Sequence, residues 1–282
     1  MQNTFSRRRF LGVAAGAAGA SLFHGPLTRA AFSVGEPTDY VIGVQSYSLR
    51  AFDAETAIQH AADIGFGTIE FYKNHIDALG TDEAAQATKA IAVAAGLGVL
   101  VHGVNSLTGD EAANRKYFEF AKRLGLKVIS AHPTPDSFDN LDRLVAEFDV
   151  KVGIHNHGPD HQYDTLEDVL NPLEGRHPNL GACIDTGHFI RSGVDPVEAI
   201  ERLGDRVHSL HLKDFAEETK TSEERILGQG LLDPVDMFRA LRKIEFPLDS
   251  ALSVEYEHNM QDPIDDLKAC LDVAKEAVAR TA

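Results

Sequence analysis

The sequence predicts a closed α/β barrel, the (β/α)8 TIM-barrel architecture, and three observations carry that prediction. Eight short apolar runs alternate with eight helical patterns, and the loops between them are short. Six of the runs end on a residue able to hold a metal or move a proton: Glu70, His132, His155, Asp185, His211 and Glu255. In a barrel of parallel strands the C-terminal strand ends converge on one mouth, where active sites of this fold sit. The pattern therefore predicts a fold and a site together.

Residues 1–31 stand apart from that barrel. Met1 to Ala31 contains no acid, opens with Ser6-Arg7-Arg8-Arg9-Phe10-Leu11, continues as an Ala/Gly/Leu run to Phe23 and closes on Ala30-Ala31. This is the pattern of a twin-arginine-type signal peptide, with an ordinary Sec signal as the alternative, and it predicts an exported, periplasmic protein. The apolar run is too short and glycine-rich for a membrane span of roughly 20 residues, so no membrane insertion is expected. Twin-arginine export carries proteins already folded, which suits a metal acquired before export. Cys183 and Cys270 fall in a predicted strand and a predicted outer helix, a placement that suits two buried thiols better than a disulfide framework.

Loss of the leader removes four arginines and no acid, taking the formal charge from −16 to −20. Nucleic-acid binding rests on Lys and Arg neutralising phosphates, so a strongly acidic chain argues against DNA or RNA and for a small neutral polar substrate. The barrel domain, residues 38–282, has about the usual length of one (β/α)8 barrel.

In order, the predicted strands are 41–46, 67–71, 98–103, 127–131, 150–155, 180–185, 207–213 and 250–255. Helices are predicted over 54–64, 82–95, 110–124, 141–148, 166–173, 196–203, 234–244 and 263–279. Asp233-Pro234 and Asp262-Pro263 read as helix entries, an acid followed by proline in the first turn. Successive strand residues point to opposite faces. Leu210 and Leu212 then face the helices and leave Ser209, His211 and Lys213 inside. By the same alternation Gly153, His155 and His157, then Cys183 and Asp185, then Ser253, Glu255 and Glu257 face the interior. Six of the 13 histidines, His102, His132, His155, His157, His188 and His211, fall at or just beyond strand ends. A structural reading stands beside each: Asp185 as a helix cap, His211 as a hydrogen-bonded core histidine, Glu70 and His132 as salt-bridge or capping residues.

Ile184-Asp185-Thr186-Gly187-His188, then Val207-His208-Ser209-Leu210-His211-Leu212-Lys213-Asp214, then Leu252-Ser253-Val254-Glu255, resemble the sugar phosphate isomerase/epimerase group of the xylose-isomerase-like barrels. The opening Gly43-Val44-Gln45-Ser46-Tyr47-Ser48-Leu49-Arg50 and the segment Leu124 to Pro133 fit the same group. The resemblance spans nearly the whole chain after the leader. It implies one divalent metal ion (Mn, Zn or Co) held at the ends of strands five to eight, on His155, Asp185, His211 and Glu255. In the family's epimerases the strand-five ligand is a glutamate, paired with the strand-eight glutamate as two bases. Here that position reads Ile154-His155-Asn156-His157, so a symmetric two-carboxylate mechanism loses one partner, and His157 competes with His155 as ligand.

The resemblance further implies a carbohydrate substrate and proton abstraction next to a carbonyl, with Glu255 or His188 as base and Lys213 steadying a developing oxyanion. Glu70, His102, His132, His157 and Glu257 are the expected substrate contacts. Isomerisation or epimerisation is the first expected outcome, elimination by a dehydratase or keto-glycoside lyase the alternative, and a non-catalytic exported sugar-binding protein the second alternative. Members of the group pair through barrel faces, so a homo-oligomer is compatible. DNA-repair endonucleases of the superfamily need an Asp-Arg-His run before the glycine loop, where this chain has Ser222-Glu223-Glu224-Arg225-Ile226-Leu227-Gly228. Gly228-Gln229-Gly230 itself reads as turn chemistry.

Overall fold

The computed structural model describes residues 39–282, and the leader expected at residues 1–31 lies outside them. Eight parallel strands form the barrel wall: β1 (Ile42–Gln45), β2 (Thr68–Glu70), β3 (Val101–Leu107), β4 (Val128–Pro133), β5 (Lys151–His155), β6 (Leu180–Asp185), β7 (Val207–Leu212) and β10 (Ala251–Val254). Their spatial order is β2-β1-β10-β7-β6-β5-β4-β3. The ring closes between β2 and β3 through single bridges, Thr68 to Gly98 and Phe71 to His102. Between the strands run α1 (Ala54–Ile64), α2 (Asp82–Ala94), α3 (Glu111–Leu124), α4 (Phe138–Phe148), α5 (Leu166–Leu170), α6 (Thr186–Arg191), α7 (Pro196–Leu203), α8 (Pro234–Lys243) and α9 (Ile264–Ala279).

The helix starts follow local chemistry. Side chains of Asp53, Thr81, Asp110, Asp195 and Asp233 accept from backbone N–H groups in the first turns of α1, α2, α3, α7 and α8. These caps satisfy donors that a helix start leaves orphaned. The expected Asp262 cap does not form. Pro263 takes a helical conformation and serves as the N-cap without a side-chain bond, so α9 begins at Ile264.

Alternation along the strands holds as expected. Val44, Ile69, Val152, Ile154, Ile184, Leu210, Leu212 and Val254 are buried against the helix layer. The inward positions are small instead of branched: Gly43, Ser130, Gly153, Cys183, Ser209 and Ser253. Small residues let the strands approach closely below the mouth. A Cβ on Gly181 would sit 2.2 Å from the Arg206 carbonyl oxygen and 2.5 Å from the His208 ring. Both cysteines are free and buried. Among the described residues no helix is long and apolar enough to cross a membrane.

Three features depart from the expected elements. The third strand runs to Leu107, past the expected end at 103, with a register irregularity between His102 and Asn105. A short helix, α6, follows β6 directly, because the Asp185 side chain accepts from His188 N and starts it. An antiparallel pair, β8 (Asp214–Phe215) and β9 (Glu224–Arg225), follows β7. Asp214 anchors the glycine loop from there, accepting from the backbone N–H groups of Gly228 (2.9 Å), Gly230 (2.8 Å) and Leu232 (3.0 Å). Glu224, on β9, accepts from Glu257 N at 2.7 Å and so fixes the chain beyond β10. Burial raises the Glu224 carboxyl to about 8, against the opposing pull of Lys213.

Two outcomes follow from these contacts. Gly181→Ala overpacks the join of β6 and β7 and is expected to cost about 1–3 kcal/mol, read as a lower thermal midpoint. Folded Glu224 retains a proton that the unfolded chain releases above about pH 4.5, so this residue lowers stability as pH rises from there to about 8. Glu224→Gln keeps the acceptor for Glu257 N. Denaturant titrations should show it gaining on the wild type by up to roughly 1.4 kcal/mol per pH unit across that window, and parity near pH 4.

Candidate metal centre

Four strand ends bring His155, Asp185, His211 and Glu255 into one buried cluster, and one donor atom from each lies within 4.8 Å of all the others. His155 Nε2 faces His211 Nδ1 at 2.9 Å and Asp185 Oδ2 at 3.7 Å. Glu255 Oε2 stands 2.9 Å from the same His211 Nδ1. None of the four side chains is more than a tenth exposed. The spacing is compatible with ligand bonds of roughly 2.0–2.2 Å to one ion.

Two of the donors, His211 and Asp185, are held from behind. His211 Nε2 donates to Glu70 Oε2 at 3.1 Å, and Ser253 Oγ donates to the same oxygen at 3.0 Å. That contact turns Nδ1 toward the cluster, the arrangement by which a carboxylate orients a metal-binding imidazole. Asp185 is clamped through its backbone, its N–H donating to Asn156 Oδ1 (2.8 Å) and its carbonyl accepting from Asn156 Nδ2 (2.9 Å). Its Oδ1 accepts from His188 N at 2.7 Å, while Oδ2 is buried with no hydrogen-bond partner. The cap reading of Asp185 is met by Oδ1, and Oδ2 is the oxygen left over for a ligand role.

Electrostatics favour a cation here. Lys213 Nζ lies 3.5 Å from Asp185 Oδ2, 3.3 Å from Glu255 Oε2 and 2.7 Å from Glu257 Oε1. Burial pulls the Lys213 ammonium down, but Asp185, Glu255 and Glu257 outweigh it and hold it well above the usual lysine value. Burial pushes the Glu255 carboxyl up, and Lys213 with His211 more than reverses that. Burial also opposes a charged His211, yet Cys183, Glu70 and Glu255 keep its pKa raised. Burial and the neighbouring His211 and His157 rings hold His155 well below the ordinary imidazole range, so it stays neutral, the form that ligates. Glu70, Asp185, Glu255 and Glu257 formally outnumber the positive charge of Lys213 and His211. A buried excess of carboxylate together with an unpartnered donor fits a divalent cation.

The cluster opens into a cavity of about 570 Å3 lined by His155, His157, His188, Lys213, Glu255 and Glu257, among others. His157 and His188 stack at 5.5 Å, and burial lowers them to about 4 and about 3. Both face the cavity as neutral hydrogen-bond partners. His102 also lines it, with Nε2 donating to the Ile76 carbonyl at 2.9 Å. Two expected substrate contacts sit elsewhere. Glu70 lies behind His211 and does not line the cavity, because its Oε2 is taken by His211 and Ser253. His132 packs edge-on against His157 and Tyr163, each at 5.1 Å, and also stays off the lining.

Several lining residues carry little signal in the sequence. Gln45 and Tyr47 lie inside the opening motif, and their position at the end of the first strand was the available signal. Tyr72, Asn105 and Tyr117 come from the β2 loop, the extended β3 and α3, and carried no motif at all.

The comparisons with known proteins agree with this architecture. A family model described as xylose isomerase-like TIM barrel matches residues 58–277. Inosose dehydratase of Geobacillus kaustophilus is 29% identical over 144 residues, 45% of each chain. The 3-oxo-isoapionate decarboxylase of Pectobacterium atrosepticum is 28% identical over 160 residues, 51% of this chain and 56% of that protein. The chain thus spans about half the length of these curated relatives. A solved xylose isomerase domain protein from Planctomyces limnophilus superposes with a TM-score of 0.68 at 20% identity, over 86% of this chain and 99% of that one, a likeness of fold. With eight parallel strands in the expected order and the family match running from α1 into α9, the chain belongs to the xylose isomerase-like TIM barrel family.

Proposed function

We propose that this protein is a metal-dependent enzyme that abstracts a proton next to the carbonyl of a keto sugar or keto polyol, with elimination as the favoured outcome. The carrying observation is the buried convergence of His155, Asp185, His211 and Glu255 at the floor of an ionisable cavity. A divalent cation held by these four would polarise a ketone oxygen as a Lewis acid. Glu255, kept ionised by Lys213 and His211, is the proton acceptor at the carbon beside that ketone. Lys213 is fully buried and permanently charged, so it offers a fixed positive group where negative charge develops. His157 and His188, both neutral, orient hydroxyls of the substrate through hydrogen bonds.

Elimination is favoured over epimerisation because the strand-five donor is an imidazole. Epimerisation through two opposed carboxylates needs a second base there, and His155 is held neutral with its Nε2 turned into the cluster. Two of the relatives are named as a dehydratase and a decarboxylase, reactions that also break a bond beside an activated carbon. Epimerisation remains the second reading, supported by Glu257, a further carboxylate on the cavity wall.

Two measurements test this reading. Purified protein is expected to contain about one divalent ion per chain, to lose activity on chelation and to recover it with Mn, Co or Zn. Asp185→Asn should abolish metal retention, and Glu70→Gln should weaken metal affinity by about 10–100-fold through His211. Folded protein indifferent to divalent ions would remove the proposal. In D2O, keto sugars incubated with the enzyme should acquire deuterium at the carbon beside the carbonyl. An unsaturated product marks elimination, whereas a product of inverted configuration that carries one deuterium and keeps all its substituents marks the second reading.

A further inference from the structure

The cavity has two chemically different sides. In the closed ring of strands, β6 and β7 lie across the barrel from β2 and β3. Asp185, His211 and Lys213 therefore face a wall built from the segments that follow β1 and β2, from β3 and from α3. That wall presents Tyr47, Tyr72, Leu79 and Tyr117, set among polar lining residues such as Lys73 and Asp77. Tyr47 is 37% exposed and Leu79 55%, and both line the cavity. Tyr72 meets Tyr47 edge-on at 5.3 Å, and the Arg50 guanidinium lies 4.2 Å over the Tyr47 ring. Arg50 also reaches Glu257 Oε2 at 3.6 Å, so the position of Tyr47 is tied to the ionisable side.

Aromatic and aliphatic side chains left partly open inside a polar cavity mark a place where a ligand presents an apolar face. The volume, about 570 Å3, lies well inside the roughly 300–1,000 Å3 of ligand pockets. We infer that this wall is a second subsite, and that it takes the aglycone ring of a keto glycoside. The inference rests on the proton-abstraction reading for its chemistry and names the substrate class of that same site.

The elimination then balances without any outside reagent. The base removes the proton from the carbon between the ketone and the anomeric centre. The electron pair of that C–H bond forms the new double bond, the glycosidic C–O bond breaks with its electrons on oxygen, and the departing oxygen takes up a proton. Products are an unsaturated keto sugar and a free alcohol or phenol. A leaving group the size of a ring needs its own place in the cavity, and the tyrosine wall provides one; departing hydroxide needs none.

The test is binding, which does not depend on turnover. Metal-loaded protein is titrated calorimetrically with glucose, galactose and mannose, then with their phenyl glycosides and with disaccharides carrying the same sugar at the non-reducing end. At least one glycoside should bind about tenfold or more tightly than its parent sugar. Tyr47→Ala and Leu79→Ser, both at partly exposed positions, should each remove most of that gain and leave affinity for the parent sugar within about twofold. Preference for phenyl glycosides identifies an aromatic aglycone, and preference for disaccharides a sugar; either supports the subsite. Glycosides that bind no better than their parents, or variants that weaken both equally, overturn it. Deuterium incorporation reports separately on proton abstraction, so that reading and the subsite fail independently.

Discussion

The structure turns on a concentration of buried negative charge at the barrel mouth. Glu70, Asp185 and Glu255 are withdrawn from water and Glu257 half-withdrawn, and Lys213 alone touches three of these carboxylates. Withdrawing carboxylates from water is unfavourable unless each finds a partner. The surrounding architecture partners some of these carboxylates directly and fixes the backbone that carries others. Ser253 and His211 meet Glu70, Asn156 clamps the backbone of Asp185, and Thr186 Oγ1 donates to the Lys213 carbonyl at 2.6 Å. A divalent ion is the natural completion of such an arrangement, and the depressed pKa of His155 keeps that ring in its ligating form.

Strand alternation explains why so much of this was legible in the sequence. Once Leu210 and Leu212 are assigned to the helix side, Ser209, His211 and Lys213 have nowhere to point but inward, and β5, β6 and β10 obey the same constraint. The period of two fixes the face, and the apolar partners fix the phase. The four expected donors fall together for that reason. Asp185 illustrates why two readings of one residue need not compete, since a carboxylate has two oxygens and the cap takes only one.

Other parts depended on information a linear reading lacks. Glu70 ends β2 at the mouth, but His211 and Ser253 hold its carboxylate behind the cluster, a pairing across the barrel that no linear pattern carries. His132 shares the inward phase of its strand, but Tyr163 and His157 occupy the space in front of it. Asn156 sits between two histidines that drew attention first, and its role depends on β6 lying next to β5. The tyrosine wall comes from segments separated by up to seventy positions, with no shared motif, and only closure of the ring brings them together. The β8–β9 pair was missed because two-residue strands have no periodicity to read.

The two oxygens of Asp185 have a consequence for the rim of this barrel. One oxygen anchors the first turn of α6 and the other faces the four-residue cluster, so helix start and cluster share one side chain. His188, Gly187 and Phe189 ride on that turn. The first turn of α6 is thereby tied to the candidate centre through a carboxylate only two bonds from the backbone of β6.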